Sequence, residues 1–127
     1  MNKVAQLTIT KECGPYCSAI CGGAAFTPPS GATAFYYSIK ISETNGVGAR
    51  VTQKCRDYAA CGSYIAGPAS PYCISYSPVK TIPAGGNVVI PGAIYSYCYP
   101  RVLTETYYIT DDNGNSFTQP ITFTLNC

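Results

Sequence analysis

Alternation of apolar and polar residues is the dominant pattern of this chain, and it predicts β-strands. Residues 4–10 place Ala5, Leu7 and Ile9 on one face and polar side chains on the other. Seven further runs with strand character lie at 33–42, 47–53, 72–76, 87–90, 94–99, 102–110 and 117–125. Gly- and Pro-containing segments separate the runs. The pattern therefore predicts about eight short strands and no long helix.

Two Asn-Gly pairs mark tight turns between predicted strands. Asn45-Gly46 follows the run that contains Tyr36 and Tyr37, and Asn113-Gly114 follows the run that contains Tyr107 and Tyr108. Because Asn-Gly is typical of two-residue hairpin loops, we expect two similar hairpins. The Gly- and Pro-rich stretch 55–71 predicts a long loop pinned by a disulfide, with a short helical turn at 56–60.

Regularly spaced short strands with Gly and Pro turns are typical of β-sandwiches and jelly rolls. We predict an all-β, disulfide-stapled β-sandwich or jelly roll of about eight strands with an N-terminal extension strand. At 127 residues the chain is long enough for one compact domain. We expect an N-terminal donor strand at 1–12, a Cys/Gly/Pro-rich hinge at 13–31 and the β-sandwich domain at 32–127.

Cysteine is the second informative residue type. Eight cysteines in a chain of this length indicate disulfides and an oxidising compartment, or a hyperthermophile. They are Cys13, Cys17, Cys21, Cys55, Cys61, Cys73, Cys98 and Cys127. Eight cysteines allow 105 pairings, so the pairing stays open. Residues 1–7 lack the continuous apolar segment of a secretory signal, which leaves a cleaved signal or an unusual export route.

The cluster at Cys13, Cys17 and Cys21 has two interpretations. On a helix, three thiolates at this spacing could bind zinc or an iron–sulfur cluster. Gly14-Pro15 and Gly22-Gly23 disfavour such a helix, so we predict disulfides and no metal or other cofactor. Cys127 is a candidate for a bond between subunits, with an ordinary internal disulfide as the alternative.

The charge pattern narrows the possible partners. Only 11% of the residues are charged, against about a quarter in ordinary globular domains, while Tyr alone contributes 12 residues. Such an uncharged surface suits a protein that packs against copies of itself. Its eight basic residues are scattered, so we expect no nucleic-acid binding. The longest apolar runs span a few residues, so we expect no membrane insertion.

The residues that most enzymes use for catalysis are scarce. Histidine is absent, which excludes imidazole bases and triads. Of the six acidic residues only Glu105 lies within a strongly patterned strand, and we interpret even this one as solvated charge. The run Asp111–Asn115 partly matches a calcium loop, but Ser116 and Thr122 stand where that motif requires Gly and Glu. A hairpin turn explains it better, and we predict no enzymatic activity.

Tyrosines are concentrated on the predicted strands, where some rings must lie on each face. Their large apolar area and polar tip favour protein interfaces. A glycan-binding platform is the competing hypothesis, which the absence of Trp disfavours. The strand tyrosines are Tyr36, Tyr37, Tyr95, Tyr97, Tyr99, Tyr107 and Tyr108.

The layout resembles a known class of extracellular fibre subunits. A short strand and a cysteine cluster precede a Thr-rich, low-charge β domain that contains Thr81-Ile-Pro-Ala-Gly-Gly-Asn-Val-Val-Ile-Pro-Gly92. This looks like the jelly-roll subunits of bacterial endospore appendages, and donor-strand pili are similar. The resemblance implies polymerisation by strand donation, cross-linking through N-terminal cysteines and export without a signal peptide.

Together these features predict a structural subunit of an extracellular, cell-surface filament. Its partners are copies of itself in a helical homopolymer, and the polymerisation strand consists of Val4, Ala5, Leu7 and Ile9. Backbone hydrogen bonds would supply affinity while the apolar side chains fill a groove of the neighbour. Two alternatives stay open: the strand folds back into its own sandwich, or the chain is a monomeric secreted binding module such as an adhesin or inhibitor.

Overall fold

The structure of the protein is a computed structural model, and it describes residues 3–17, 19–23, 25–59 and 72–127. These residues form seven antiparallel strands: β1 (Leu7–Tyr16), β2 (Thr33–Glu43), β3 (Ala49–Tyr58), β4 (Tyr72–Ile82), β5 (Asn87–Ser96), β6 (Arg101–Asp111) and β7 (Ser116–Leu125). No helix occurs in these ranges. The described residues accordingly include no helix with the length and hydrophobicity needed to cross a membrane.

The strands form two sheets that face each other. One sheet has the order β1-β2-β5 and the other the order β4-β3-β6-β7. Their inner faces supply one apolar core, and its largest fully buried apolar or aromatic side chains include Phe35, Tyr37, Tyr107 and Phe123. This confirms the predicted all-β, disulfide-stabilised β-sandwich. The seven strands of the described ranges match a sandwich of three and four strands, whereas a jelly roll has eight.

The strand count differs from the prediction because the runs 87–90 and 94–99 belong to one strand. β5 continues through Pro91 and Gly92, which pair with Ser38 and Tyr37 of β2. Because β5 is an edge strand, Pro91 needs no N–H partner on its outer side. Proline and glycine here therefore do not end the strand.

Strand β1 reaches further than the pattern predicted. It pairs with β2 of the same chain from Leu7 to Tyr16, past residue 12 and into the predicted hinge. Irregularities on both sides of Cys13 bend the strand. At Gly14 the φ angle is +70°, and an added Cβ would lie 2.9 Å from the backbone nitrogen of Tyr16. Glycine is therefore required where the strand bends.

One of the two predicted hairpins is wrong. Asn113-Gly114 does connect the paired strands β6 and β7. Asn45-Gly46, however, connects β2 and β3, which lie in opposite sheets. In this turn the Glu43 carboxylate accepts hydrogen bonds from the backbone N–H groups of Asn45 and Val47, and β3 then begins at Ala49 in the other sheet. The predicted helical turn at 56–60 is also wrong over its described part, because β3 stays paired to β6 through Tyr58.

Three disulfides join described residues. Cys13 bonds to Cys21, Cys17 to Cys127 and Cys55 to Cys73, with Cα–Cα distances of 5.8, 5.7 and 3.9 Å. Cys98 is also disulfide-bonded, and Cys61 lies outside the described residues, as does most of the predicted loop 55–71. Cys17–Cys127 spans 110 residues and ties the end of β1 to the chain just after β7.

Candidate functional site: a socket for the N-terminal segment

Residues 3–6, which precede β1, lie against two loops that follow β2 and β6, two strands of opposite sheets. We call these loops, 43–46 and 111–114, the socket. Each loop begins with a buried carboxylate and continues to an Asn-Gly pair. Together they hold the N-terminal segment almost entirely through its backbone.

The first loop is organised around Glu43, which is 1% exposed. Its Oε2 accepts hydrogen bonds from the backbone N–H groups of Gln6, at 3.1 Å, and Asn45, at 2.7 Å. Its Oε1 accepts from Val47, at 3.0 Å, and Gly85, at 2.8 Å. Burial alone would raise the pKa of Glu43, but these four donors outweigh it and hold the pKa at about 2.

The second loop repeats this arrangement around the fully buried Asp111. Its Oδ2 accepts a hydrogen bond from the Ala5 N–H at 3.0 Å, and its Oδ1 accepts from the N–H groups of Asn113 and Asn115 at 2.9 Å. The Asn115 side chain donates to both oxygens. Burial would raise the pKa of Asp111, but the hydrogen bonds, led by that of Ala5, lower it to about 2.

The two asparagine side chains complete the match between the loops. Asn45 Nδ2 donates to the carbonyl oxygen of Val4 and Asn113 Nδ2 to that of Lys3, both at 2.7 Å. Each loop therefore offers one carboxylate to an N–H of the segment and one amide to a carbonyl. This is the chemistry of a site that recognises an extended peptide backbone.

The predicted polymerisation residues follow the segment into the core of the same chain. Ala5 is 3% exposed, and Leu7 and Ile9 are half-buried against the apolar core. Val4 is exposed, so its carbonyl rather than its side chain contacts the socket. The apolar residues at alternate positions 5, 7 and 9 thus identified the inward face of the N-terminal segment and β1.

The partial calcium motif at Asp111 has a different role. Both oxygens of Asp111 face N–H donors, an arrangement that holds a carboxylate and opposes a cation at the same place. Asp112 instead forms a surface ion pair with Arg50, with 2.8 Å between Oδ1 and Nη1. The run is a turn that binds the N-terminal segment.

A second polar cluster lies inside the sandwich, around Glu105. Its Oε2 accepts hydrogen bonds from the Tyr37 hydroxyl and from Arg56 Nε, the latter at 2.7 Å, and lies 3.4 Å from Lys54 Nζ. Its Oε1 accepts from the Tyr107 hydroxyl at 2.7 Å. Interpreting Glu105 as solvated charge was therefore wrong: it is 0% exposed and joins the two sheets.

Burial and charge act in opposite directions within this cluster. Burial lowers the pKa of Lys54 to about 8, although Glu105 attracts the proton. Burial raises the pKa of Glu105, but the charges of Lys54 and Arg56 lower it by more. The net pKa is below its usual value, so the carboxyl stays ionised. Burial and the neighbouring carboxylate raise the pKa of Tyr37. A buried ionised group costs several kcal/mol unless it is paired, as it is here.

Sequence analysis missed this cluster because it ended the strand at residue 53, and because a β-bulge changes which later residues of β3 point inward. Val51 pairs with Ile109 and Gln53 with Tyr108, so Thr52 is an extra residue in β3. Without it, the inward positions after Val51 would be 53 and 55. With it, Lys54 and Arg56 point inward, opposite Tyr107 and Glu105. A one-residue shift moves every following side chain to the other face.

The strand tyrosines divide between the core and the surface. Tyr37 and Tyr107 are fully buried, Tyr36 is nearly so, and Tyr97, Tyr99 and Tyr108 are exposed.

The fold and site together define a disulfide-stabilised β-sandwich whose N-terminal segment sits in a backbone-binding socket. No protein-family model and no curated protein matches the chain. The structure is similar to that of a Bordetella pertussis protein named ApaA, with a TM-score of 0.70 and 16% identity over 97% of this chain and 94% of that chain. A Northeast Structural Genomics Consortium target, SoR45, gives a TM-score of 0.62 and 14% identity over 98% and 88%. At these identities the similarity shows the fold alone.

Proposed function

We propose that the chain is a structural subunit of an extracellular filament, in which the N-terminal strand of each copy completes the sandwich of the next. The observation that carries this proposal is the socket. It binds residues 3–6 through their backbone, and Ala5, Leu7 and Ile9 reach the core, so none of these contacts requires that strand and sandwich belong to one chain. A second copy could supply the same segment with the same contacts.

Strand exchange of this kind is head-to-tail. Each copy would present one socket and one strand, and a contact that does not close on itself propagates into a filament. The Cys13–Cys21 disulfide ties residue 21 to β1, so residues 22–32 are the part of the connection to β2 that would take a new path. Fully extended, they would span roughly 40 Å.

The other edges of the sandwich favour β1 as the exchanged strand. β4, β5 and β7 are also edge strands, and each carries an internal proline: Pro78, Pro91 and Pro120. Proline hinders pairing with a further strand. β1 also contains a proline, Pro15, but this lies next to its last residue, and the segment from Leu7 to Gly14 has none.

Composition supports the proposed location and partner. The disulfides suit an oxidising extracellular compartment. The 11% charged residues leave little electrostatic repulsion between neighbouring copies. The resemblance of the sequence layout to extracellular fibre subunits also supports the proposed location and partner.

One observation favours the alternative, a monomeric secreted binding module. In this structure β1 pairs with β2 of its own chain, which already completes the three-stranded sheet. In that case the socket would be an internal clamp and the chain would remain discrete in solution.

Negative-stain microscopy of purified protein distinguishes a filament subunit from a monomeric binding module. Leu7→Asp and Thr8→Asp serve as matched variants. The wild type should form long fibres. Leu7→Asp should form few or none, because it would place an unpaired charge at a half-buried position against the apolar core. Thr8→Asp changes the exposed neighbour on the opposite face and should assemble normally. Discrete wild-type particles, or normal fibres from Leu7→Asp, would contradict the proposal.

A further inference from the structure

The two Asn-Gly pairs of the socket consist of the same residues but differ in the hydrogen bonding of the glycine nitrogen. The backbone nitrogen of Gly114 donates a hydrogen bond to the carbonyl oxygen of Asp111 at 3.1 Å. The backbone nitrogen of Gly46 has no hydrogen-bond partner among the described residues, and Gly46 is more exposed than Asn45. An added Cβ at Gly46 would meet nothing within 4 Å, so the space around this peptide is open.

These features are those of a peptide that can react with its own side chain. A glycine nitrogen carries little steric shielding, and no described residue forms a hydrogen bond with the nitrogen of Gly46. The neighbouring Asn45 side chain donates a hydrogen bond to the carbonyl oxygen of Val4. That bond restrains the amide only while the N-terminal segment lies in the socket.

We propose that Asn45 is a deamidation site whose modification releases the N-terminal segment. The Gly46 nitrogen loses its proton and bonds to Asn45 Cγ, the Cγ–Nδ2 bond breaks, and ammonia leaves. Water then opens the resulting five-membered succinimide and gives aspartate or isoaspartate at position 45. Water is the only co-reactant, and nothing is oxidised or reduced.

The product cannot reproduce the bond that held the segment. A carboxylate at position 45 has no N–H to donate to the Val4 carbonyl, and it adds negative charge beside the Glu43 carboxylate, which is already ionised. Docking therefore protects Asn45, and undocking exposes it. Once modified, position 45 favours the undocked state, so the step is a one-way switch that operates whether the segment comes from the same chain or from another copy.

Peptide mapping of the full chain after incubation at mildly alkaline pH tests the site. Trypsin yields residues 41–50, in which Asn45 is the only asparagine, and residues 102–127, in which fragmentation locates Asn113. We expect Asn45 to deamidate at least several-fold faster than Asn113, the internal control. Equal rates, or a faster reaction at Asn113, would overturn the assignment.

A pair of variants tests the coupling to docking. Ala5→Leu places a larger side chain at a buried position and should speed deamidation of Asn45 several-fold, whereas Val4→Leu changes an exposed side chain and should not. In the modified wild type, the amide hydrogens of Ala5 and Gln6 should exchange faster. Unchanged exchange, or no effect of Ala5→Leu, would reject the switch.

Discussion

The hydroxyl of Tyr37 in one sheet donates a hydrogen bond to the carboxylate of Glu105 in the other, so the two halves of the sandwich are joined by a polar contact at the centre of an apolar core. The Tyr37 ring reaches this position because its register partner on β5 is Gly92, which has no side chain. The hydrogen bond between Tyr37 and Glu105 therefore depends on Gly92 in the neighbouring strand.

We expect Gly92→Ala to destabilise the protein by about 2–4 kcal/mol. The new Cβ would lie 2.6 Å from Cε2 of Tyr37, so the ring must move and its bond to Glu105 is strained. Denaturant unfolding with disulfides intact measures the change. Gly23→Ala is the control, since its Cβ would make an ordinary 3.5 Å contact with Pro91, and equal effects of both variants would refute the explanation.

Stability should rise between about pH 8 and about pH 9.5. The pKa of Lys54 is about 8 in the folded protein, so in this interval the unfolded chain binds more protons than the folded one. The gain is roughly 1–2 kcal/mol. Among the residues that the structure describes, the charged or titratable groups facing Lys54 are Glu105, which stays ionised, Arg56, which stays protonated, and Tyr37 and Tyr107, whose raised pKa values keep them neutral.

The variant Lys54→Met checks this assignment by chemical denaturation at each pH. It removes the titrating group and leaves Glu105 paired with Arg56, so the rise should disappear. A rise of the same size in the variant would mean that another group titrates.

Acid should weaken the socket between about pH 4 and about pH 2. Glu43 and Asp111 have folded pKa values of about 2, whereas unfolded carboxyls titrate near 4. In this interval the unfolded state binds more protons, so stability falls as the pH falls. Unfolding measured across this range should show a shallower decline for Asp111→Asn, and an unchanged decline would show that other carboxyls dominate.

Strand exchange predicts that the Cys17–Cys127 disulfide links different copies in the filament. Isotope-labelled and unlabelled chains are mixed before oxidation by oxidised glutathione, and fibres are digested with trypsin. Residues 12–40 carry Cys17, and residues 102–127 carry Cys127 as their only cysteine. Linked peptides should include labelled–unlabelled pairs. Cys55–Cys73 joins neighbouring strands of one sheet and should give only same-label pairs.

Fibres that contain only same-label Cys17–Cys127 pairs would show assembly without strand exchange. Labelled–unlabelled pairs at Cys55–Cys73 would instead indicate disulfide scrambling during preparation.

The sequence by itself determined the architecture class and the inward face of the first strand. Period-2 alternation is a local property, so the positions of Ala5, Leu7 and Ile9, and the existence of most strands, could be predicted without knowing their partners. Asn113-Gly114 likewise marked a true hairpin, because a two-residue turn is encoded within the turn itself.

Only the tertiary structure decided the features that depend on distant partners. The bulge at Thr52 changes which face of β3 points inward, and nothing in the local alternation marks it. Asn45-Gly46 reads like Asn113-Gly114 in sequence, yet it crosses between sheets. The socket brings Ala5 to Asp111 across 106 residues, and a buried carboxylate there is stable because folding supplies the N–H donors that replace water.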